Sequence, residues 1–259
     1  MSGPLHVEVH PGAGPPLLLV HGICSSRAQW RPNLAALAAF STPVVVELLG
    51  HGRSQSPPDP AEYRVEAYID RFEQIRRDLG AARWAICGQS FGAGLTLNYA
   101  LACPDRISAQ IFTNSGSGLG PSRAPLSDEA RDHHIATVES RGRSVLEAMA
   151  FYPKPTGRLA PEVEDELVRD AELISLGGIA RSTAVTAPGL SATDRLGQIR
   201  APTLLVNGRR EKRFQPLRDM AAKALPGLEV VDLEGGHPVN LDCADGFNAA
   251  VADFLGRHP

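Results

Sequence analysis

The sequence predicts an α/β fold, a mostly parallel central sheet with helices on both faces and a helical insertion late in the chain. Two observations carry this. Short apolar runs of strand length alternate with longer segments of helical period over most of the 259 residues, the pattern of strands buried between two helical layers. Between about Gly120 and Leu196 the strand signals stop while helical ones continue.

Taken in order, Leu5 to Val9 reads as an optional antiparallel strand at the sheet edge. Leu17 to Val20, Val44 to Leu48, Trp84 to Cys87, Ala109 to Thr113, Thr203 to Val206 and Leu228 to Leu233 read as the parallel strands. Within the interruption, Ser127 to Phe151 and Pro161 to Leu176 read as helices, bounded by Pro153, Pro155, Gly157 and Gly177-Gly178, residue types that end helices. No internal repeat or low-complexity tract is present, which excludes a solenoid or a disordered linker protein.

The chain is long enough for a core that needs no covalent staples. A net charge of −3, with both signs interspersed, gives no electrostatic footprint for nucleic acid or an anionic membrane. Cys24, Cys87, Cys103 and Cys243 are scattered without a C-x-x-C pair, as expected for reduced thiols in a cytoplasmic protein. The start lacks the basic and apolar regions of a signal peptide, and Leu17 to Val20 is too short to cross a bilayer. The expected partner is a small molecule, with no nucleic acid and no membrane, and the expected state is a monomer or homodimer. No His/Cys/Asp spacing suggests a ligand set, so neither metal nor organic cofactor is expected.

The chemistry centres on Gly88-Gln89-Ser90-Phe91-Gly92, which stands between the strand run ending at Cys87 and a helical run from Ala93. In that setting Gly-x-Ser-x-Gly is a nucleophile elbow, its serine held on a strained turn that only glycines at the flanks permit. A serine hydroxyl needs a base, and the base needs an acceptor on its other ring nitrogen. His237 follows the last strand in Glu234-Gly235-Gly236-His237, where two glycines let the loop turn back across the sheet edge. The acid should leave the preceding strand, because active groups gather at strand carboxyl ends; Glu211 is the first carboxylate there. Glu211 sits among Arg209, Arg210, Lys212 and Arg213; its less favoured reading is the anion of a solvated charge cluster, with Asp232 and Asp242 as the fallback acids. An oxyanion hole requires two backbone N–H donors, each worth roughly 3–4 kcal/mol in the transition state. Phe91 supplies one by position, and Ile23, in the turn His21-Gly22-Ile23, is the candidate for the other. His21 reads as a residue that pins this loop rather than an acid or base.

These motifs resemble those of the α/β-hydrolase superfamily. Its H-G-x-x-x-S…W stretch appears as His21-Gly22-Ile23-Cys24-Ser25-Ser26…Trp30, and its D-x-x-G-H-G-x-S stretch as Glu47-Leu48-Leu49-Gly50-His51-Gly52-Arg53-Ser54. The order Ser90, Glu211, His237 is the superfamily's order of nucleophile, acid and histidine. The resemblance implies an α/β-hydrolase core over residues 1–119 and 197–259, with seven or eight strands, and a helical cap over 120–196. It departs at Glu47 and Glu211, each in place of the usual aspartate. Gly208-Arg209-Arg210-Glu211-Lys212-Arg213-Phe214 and Ser115-Gly116-Ser117-Gly118-Leu119 are similar to stretches of the menaquinone-pathway lyase of this fold, but that enzyme's arginine after the elbow glycines is here Gly94. The tail from Cys243 is similar to that of hydrolases that cleave carbon–carbon bonds in ring-fission products.

The implied function is a serine hydrolase acting on a carboxylic ester of a small, largely apolar molecule. Alternatives are a carbon–carbon bond hydrolase of a β-diketone-like substrate and a small-molecule receptor that keeps the hydrolase pocket. Within the expected cap, His133 and His134 read as surface residues, and Met149, Phe151 and Tyr152 as the cap's own small core.

Overall fold

Each apolar run read as a strand contributes to a single sheet. The computed structural model describes residues 4–258. Its strands are β1 (Val7–Val9), β2 (Pro16–Val20), β3 (Thr42–Val46), β4 (Trp84–Gly88), β5 (Ile107–Thr113), β6 (Thr203–Gly208) and β7 (Glu229–Leu233). They lie in the order β1-β3-β2-β4-β5-β6-β7 as a 7-stranded sheet. Only the edge pair β1–β3 is antiparallel. β3 begins before the expected Val44 because Thr42 and Pro43 already pair with Pro16 and Leu17, and it ends at Val46.

Helix α1 (Arg31–Ala38) connects β2 to β3, α2 (Val65–Asp78) connects β3 to β4, and α3 (Phe91–Ala102) connects β4 to β5. The long connection from β5 to β6 carries α4 (Gly116–Leu119), α5 (Asp128–Arg141), α6 (Ser144–Glu147), α7 (Pro161–Glu172), α8 (Leu176–Arg181) and α9 (Ala187–Gly189). After β6 come α10 (Gln215–Ala224), then β7, α11 (Val239–Asp242) and α12 (Ala244–Arg257). No described helix is long and apolar enough to cross a membrane.

Side chains of a strand alternate between faces, and here both faces are buried. Leu17 and Leu19 of β2 join Leu37 of α1 and Phe247, Val251 and Phe254 of α12 in one apolar cluster. Leu18 and Val20 join Phe72 of α2, Leu95 of α3 and Ala221 of α10 in another. The two-faced burial explains why these strands read as continuous apolar runs.

Two helices end differently from expectation. The Ser127–Phe151 stretch is interrupted at Gly142, whose φ of +70° ends α5; α6 then stops at Glu147, so Met149 and Phe151 lie outside any helix. Gly177-Gly178, read as a boundary, stands inside α8, which Ser175 caps by accepting the Gly178 N–H at 3.2 Å. Glycine is required at 178 for close approach: a β-carbon there would stand 2.5 Å from Gly50 Cα.

The β5–β6 connection is fastened to the rest by apolar contact and by charge. Val163 and Leu167 of α7 pack on Ala28, while Leu146, Ala171, Ile174 and Ile179 pack on Cys24. Glu166 of α7 is ion-paired to Arg27 at 2.8 Å and also to Arg31. One turn on, Asp170 pairs with Arg53 at 3.1 Å. Both carboxylates are buried, and a buried charge is tolerated only with such partners.

Candidate active site

β4 runs into the turn Gly88 to Gly92, and α3 leaves it. Ser90 sits at φ 53°, ψ −111°, a backbone state that costs ~1–3 kcal/mol and persists only where surrounding structure fixes it. The turn has no room to relax: a β-carbon at Gly88 would meet Gly92 O at 2.5 Å and Ala93 Cα at 2.6 Å, and one at Gly92 would meet His21 O at 2.6 Å. Just past β5, Ser115 donates its hydroxyl to Ser90 O at 2.6 Å, which ties the turn to the neighbouring strand.

Across the sheet edge, His237 Nε2 lies 2.8 Å from Ser90 Oγ, and His237 Nδ1 lies 2.9 Å from Glu211 Oε2. An ionised carboxylate only accepts, so Nδ1 carries the proton and Nε2 presents its lone pair to the serine hydroxyl. Burial raises the Glu211 pKa, yet the hydrogen bonds and charge it meets at His237, with a further bond from Asn114 Nδ2 at 2.8 Å, hold it below the ordinary carboxylate value. Glu211 is therefore kept anionic. The two arginines before it are engaged elsewhere: Arg209 pairs with Glu234 and Arg210 with Asp242, each at 3.2 Å. Asp232 is held by Asn207 and Arg218. Asp242 accepts the Gly236 N–H at 2.6 Å and fixes the loop before His237. Neither alternative acid bonds the imidazole.

The loop after β2 is pinned by two histidines. His21 donates from Nδ1 to Gly22 O at 2.7 Å and accepts the Leu48 N–H on Nε2 at 3.0 Å. His51 donates to Leu49 O and accepts the Cys24 N–H, both at 3.0 Å. Both rings are fully buried. Burial, reinforced by His51, pushes His21 down to about 3, and burial pushes His51 down to about 4, so both are neutral. The loop's Gly22 N–H is taken by Gln29 Oε1 at 3.2 Å. Among the described residues, neither Ile23 N–H nor Phe91 N–H has an acceptor. An orphaned donor at the first turn of a helix is ordinary; the second, flanked by pinned neighbours, belongs to a residue that lines the same cavity as Ser90.

Ser90 and His237 line a cavity of about 370 Å³ whose walls include Ile23, Phe151, Leu159, Leu167, Val168 and Leu241. Its wall charges are Lys154 and Glu164, and Glu164, on α7, accepts from Thr156 and Gly157 of the loop that carries Lys154. Met149 and Tyr152 pack against the Leu146–Ile174 cluster, but that cluster also takes in Cys24 from outside residues 120–196, and Tyr152 lines the cavity as well. Phe151 does not join that core. It is 50% exposed, and its ring stacks on His237 with centroids 4.7 Å apart and planes at 28°. His133 is exposed, and His134 bonds Thr183 Oγ1 at 2.9 Å; neither lines the cavity. Asn114, absent from the sequence reading, stands where β5 ends beside Glu211. A polar residue directly after the apolar run Ala109 to Thr113 was its only local signal.

A family model of the alpha/beta hydrolase fold matches residues 15–158. The chain belongs to this family. Among relatives of this hydrolase, a Variovorax paradoxus protein with the provisional name carbamate hydrolase RutD is 29% identical, over 98% of this chain and 97% of its own. The carboxylesterase YbfK of Bacillus subtilis is 23% identical, over 95% of this chain and 81% of its own. The crystal structure of a hydrolase from Pseudomonas aeruginosa PA01 superposes with a TM-score of 0.79 at 25% identity, covering 97% of this chain and 94% of that one.

Proposed function

We propose that this hydrolase cleaves a carboxylic ester of a small, largely apolar molecule through an acyl-enzyme on Ser90. The observation that carries the reading is the continuous relay from Ser90 Oγ through His237 to Glu211, opening into a mainly apolar cavity. Ser90 Oγ attacks the carbonyl carbon as its proton passes to His237 Nε2. The Ile23 and Phe91 N–H groups receive the negative oxygen, and Glu211 faces the imidazolium that forms. His237 returns the proton to the leaving alkoxide, which departs as the alcohol. Water then attacks the acyl-enzyme, giving its proton to His237, and the acid leaves as Ser90 is restored. In this reading the helices of residues 120–196 act as a cap whose underside selects the substrate.

The carboxylesterase name of the Bacillus subtilis relative supports the ester. The lyase reading loses support at Gly94, where a β-carbon would meet Leu190 Cβ at 2.9 Å; no arginine fits there. Turnover of short p-nitrophenyl esters, measured beside a matched phenyl carbamate and a ring-fission dienoate, should rank the esters first by kcat/KM. Ser90→Ala should abolish both turnover and labelling by a fluorophosphonate probe. Full turnover by that variant would refute the mechanism.

A further inference from the structure

Glutamate at 211 raises a geometric difficulty. Compared with aspartate it adds a methylene and a rotatable bond, so one hydrogen bond from His237 leaves the carboxylate free to swing. The carboxylate must stay put for Nδ1 to stay protonated, because the acid orients the imidazole rather than merely attracting it.

Asn114 supplies the second constraint. Its side chain is fully buried, and its amide makes three hydrogen bonds. Oδ1 accepts the Gly208 N–H at 2.8 Å, while Nδ2 donates to Gly208 O at 3.0 Å and to Glu211 Oε2 at 2.8 Å. The amide has a single possible orientation: Gly208 N–H only donates, and the carbonyl and carboxylate only accept. Two of the bonds clip the end of β5 to the end of β6. The third falls on the same Oε2 that accepts from His237.

We propose that Asn114 is a positioning residue for the acid, holding Glu211 Oε2 at the imidazole and so offsetting the longer side chain. This rests on the reading of Ser90, His237 and Glu211 above. Asn114 touches neither substrate nor reacting atoms, so it acts through Glu211 alone.

The test is a double-mutant cycle in the full-length protein with a p-nitrophenyl ester. Asn114→Ala removes all three bonds. Asn114→Asp keeps the volume and an oxygen for the Gly208 N–H but puts a second carboxylate where the donor stood. Each should lower kcat by roughly 10- to 100-fold, the scale of a lost hydrogen bond to a charged group, with KM changed by less than about 2-fold. In a Glu211→Ala background, the same changes should alter the residual kcat by less than about 2-fold, because the group they act through is gone. Melting temperatures of all variants identify any that fail to fold, and the aspartate variant answers for the alanine one. The inference is overturned if Glu211→Ala is crippled while both Asn114 variants turn over normally. It is equally overturned if they lose as much activity without Glu211 as with it, which would mean a general loosening of the β5–β6 edge. If Glu211→Ala itself turns over normally, the acid assignment beneath the inference fails instead.

Discussion

Mild acid should destabilise this fold through two histidines that touch no substrate. His21 and His51 are buried and neutral, with pKa values pushed from 6.5 down to about 3 and about 4. Above pH 6.5 both rings are neutral whether the chain is folded or not, and their contribution to stability is complete. Below it, the unfolded chain takes up protons that the fold refuses, so stability falls by up to about 1.4 kcal/mol per pH unit per histidine. The loss stops growing only as the folded groups titrate near pH 4 and 3. At pH 5 the deficit is about 2 kcal/mol for each ring, or about 4 kcal/mol together, a large part of the ~5–15 kcal/mol typical of a folded protein. Carboxylates intrude little in this window. Glu73, held by Arg76 and Tyr99 at about 2, loses its contribution only below the ordinary carboxylate value. Glu47, pushed up by burial, acts in the opposite sense as acid is added. Urea unfolding followed by fluorescence of the buried Trp30 and Trp84, at pH 7.5, 6 and 5 and constant ionic strength, measures the slope. His51→Gln, which cannot titrate, should remove about half of it. A wild-type stability constant to within about 1 kcal/mol from pH 7.5 to 5, or an unchanged slope in the variant, would refute the argument.

Two further outcomes follow from the elbow and the cavity. Gly92→Ala places a β-carbon against the carbonyl oxygens of Val20 and His21, backbone that cannot step aside, so a loss of roughly 1–3 kcal/mol in unfolding free energy is expected, along with weaker activity. Phe151→Ala should leave the melting temperature nearly unchanged, since the ring is half exposed, yet lower kcat/KM for aryl esters about 2- to 10-fold, the scale of one lost aromatic contact; an unaltered ratio of aryl to alkyl ester turnover would remove Phe151 from substrate recognition.

What was legible in the chain is what is local. The strands announced themselves because both their faces are apolar, and Ser90 because its flanking glycines and the change from strand to helix lie within ten residues. His237 followed from its glycines after the last strand. Glu211 was legible as the first carboxylate after β6, but what sets Asp232 and Asp242 aside was not, since it depends on which arginine each carboxylate meets: Arg210 takes Asp242 and Arg218 takes Asp232. Asn114 was invisible for the same reason, its partner lying 97 residues away. Gly177-Gly178 misled because glycine ends helices and also permits close packing, and only the approach of Gly50 separates the two uses.

The walls of the cavity are accordingly of two kinds, and they divide the work of selectivity. α7 contributes Leu167 and Val168 from a helix fastened by Glu166 to Arg27 and Arg31 and by Asp170 to Arg53. Arg27, Arg31 and Arg53 keep part of their side chains in solvent, so these pairs fix where α7 sits rather than supply much of the stability. The wall from Ala150 to Leu159 has no regular helix or strand. It is tied down by Arg143 to the Tyr152 hydroxyl at 3.2 Å and by three bonds from Thr156 and Gly157 to Glu164, with Cys24 bonded to Met149 Sδ at 3.6 Å just before it. Phe151, which covers His237, stands on this second wall. A substrate too large for the cavity meets the irregular wall as well as the helical one, so substitutions between residues 150 and 159 are expected to change which substrates fit, while substitutions at Glu166 or Asp170 are expected to loosen α7.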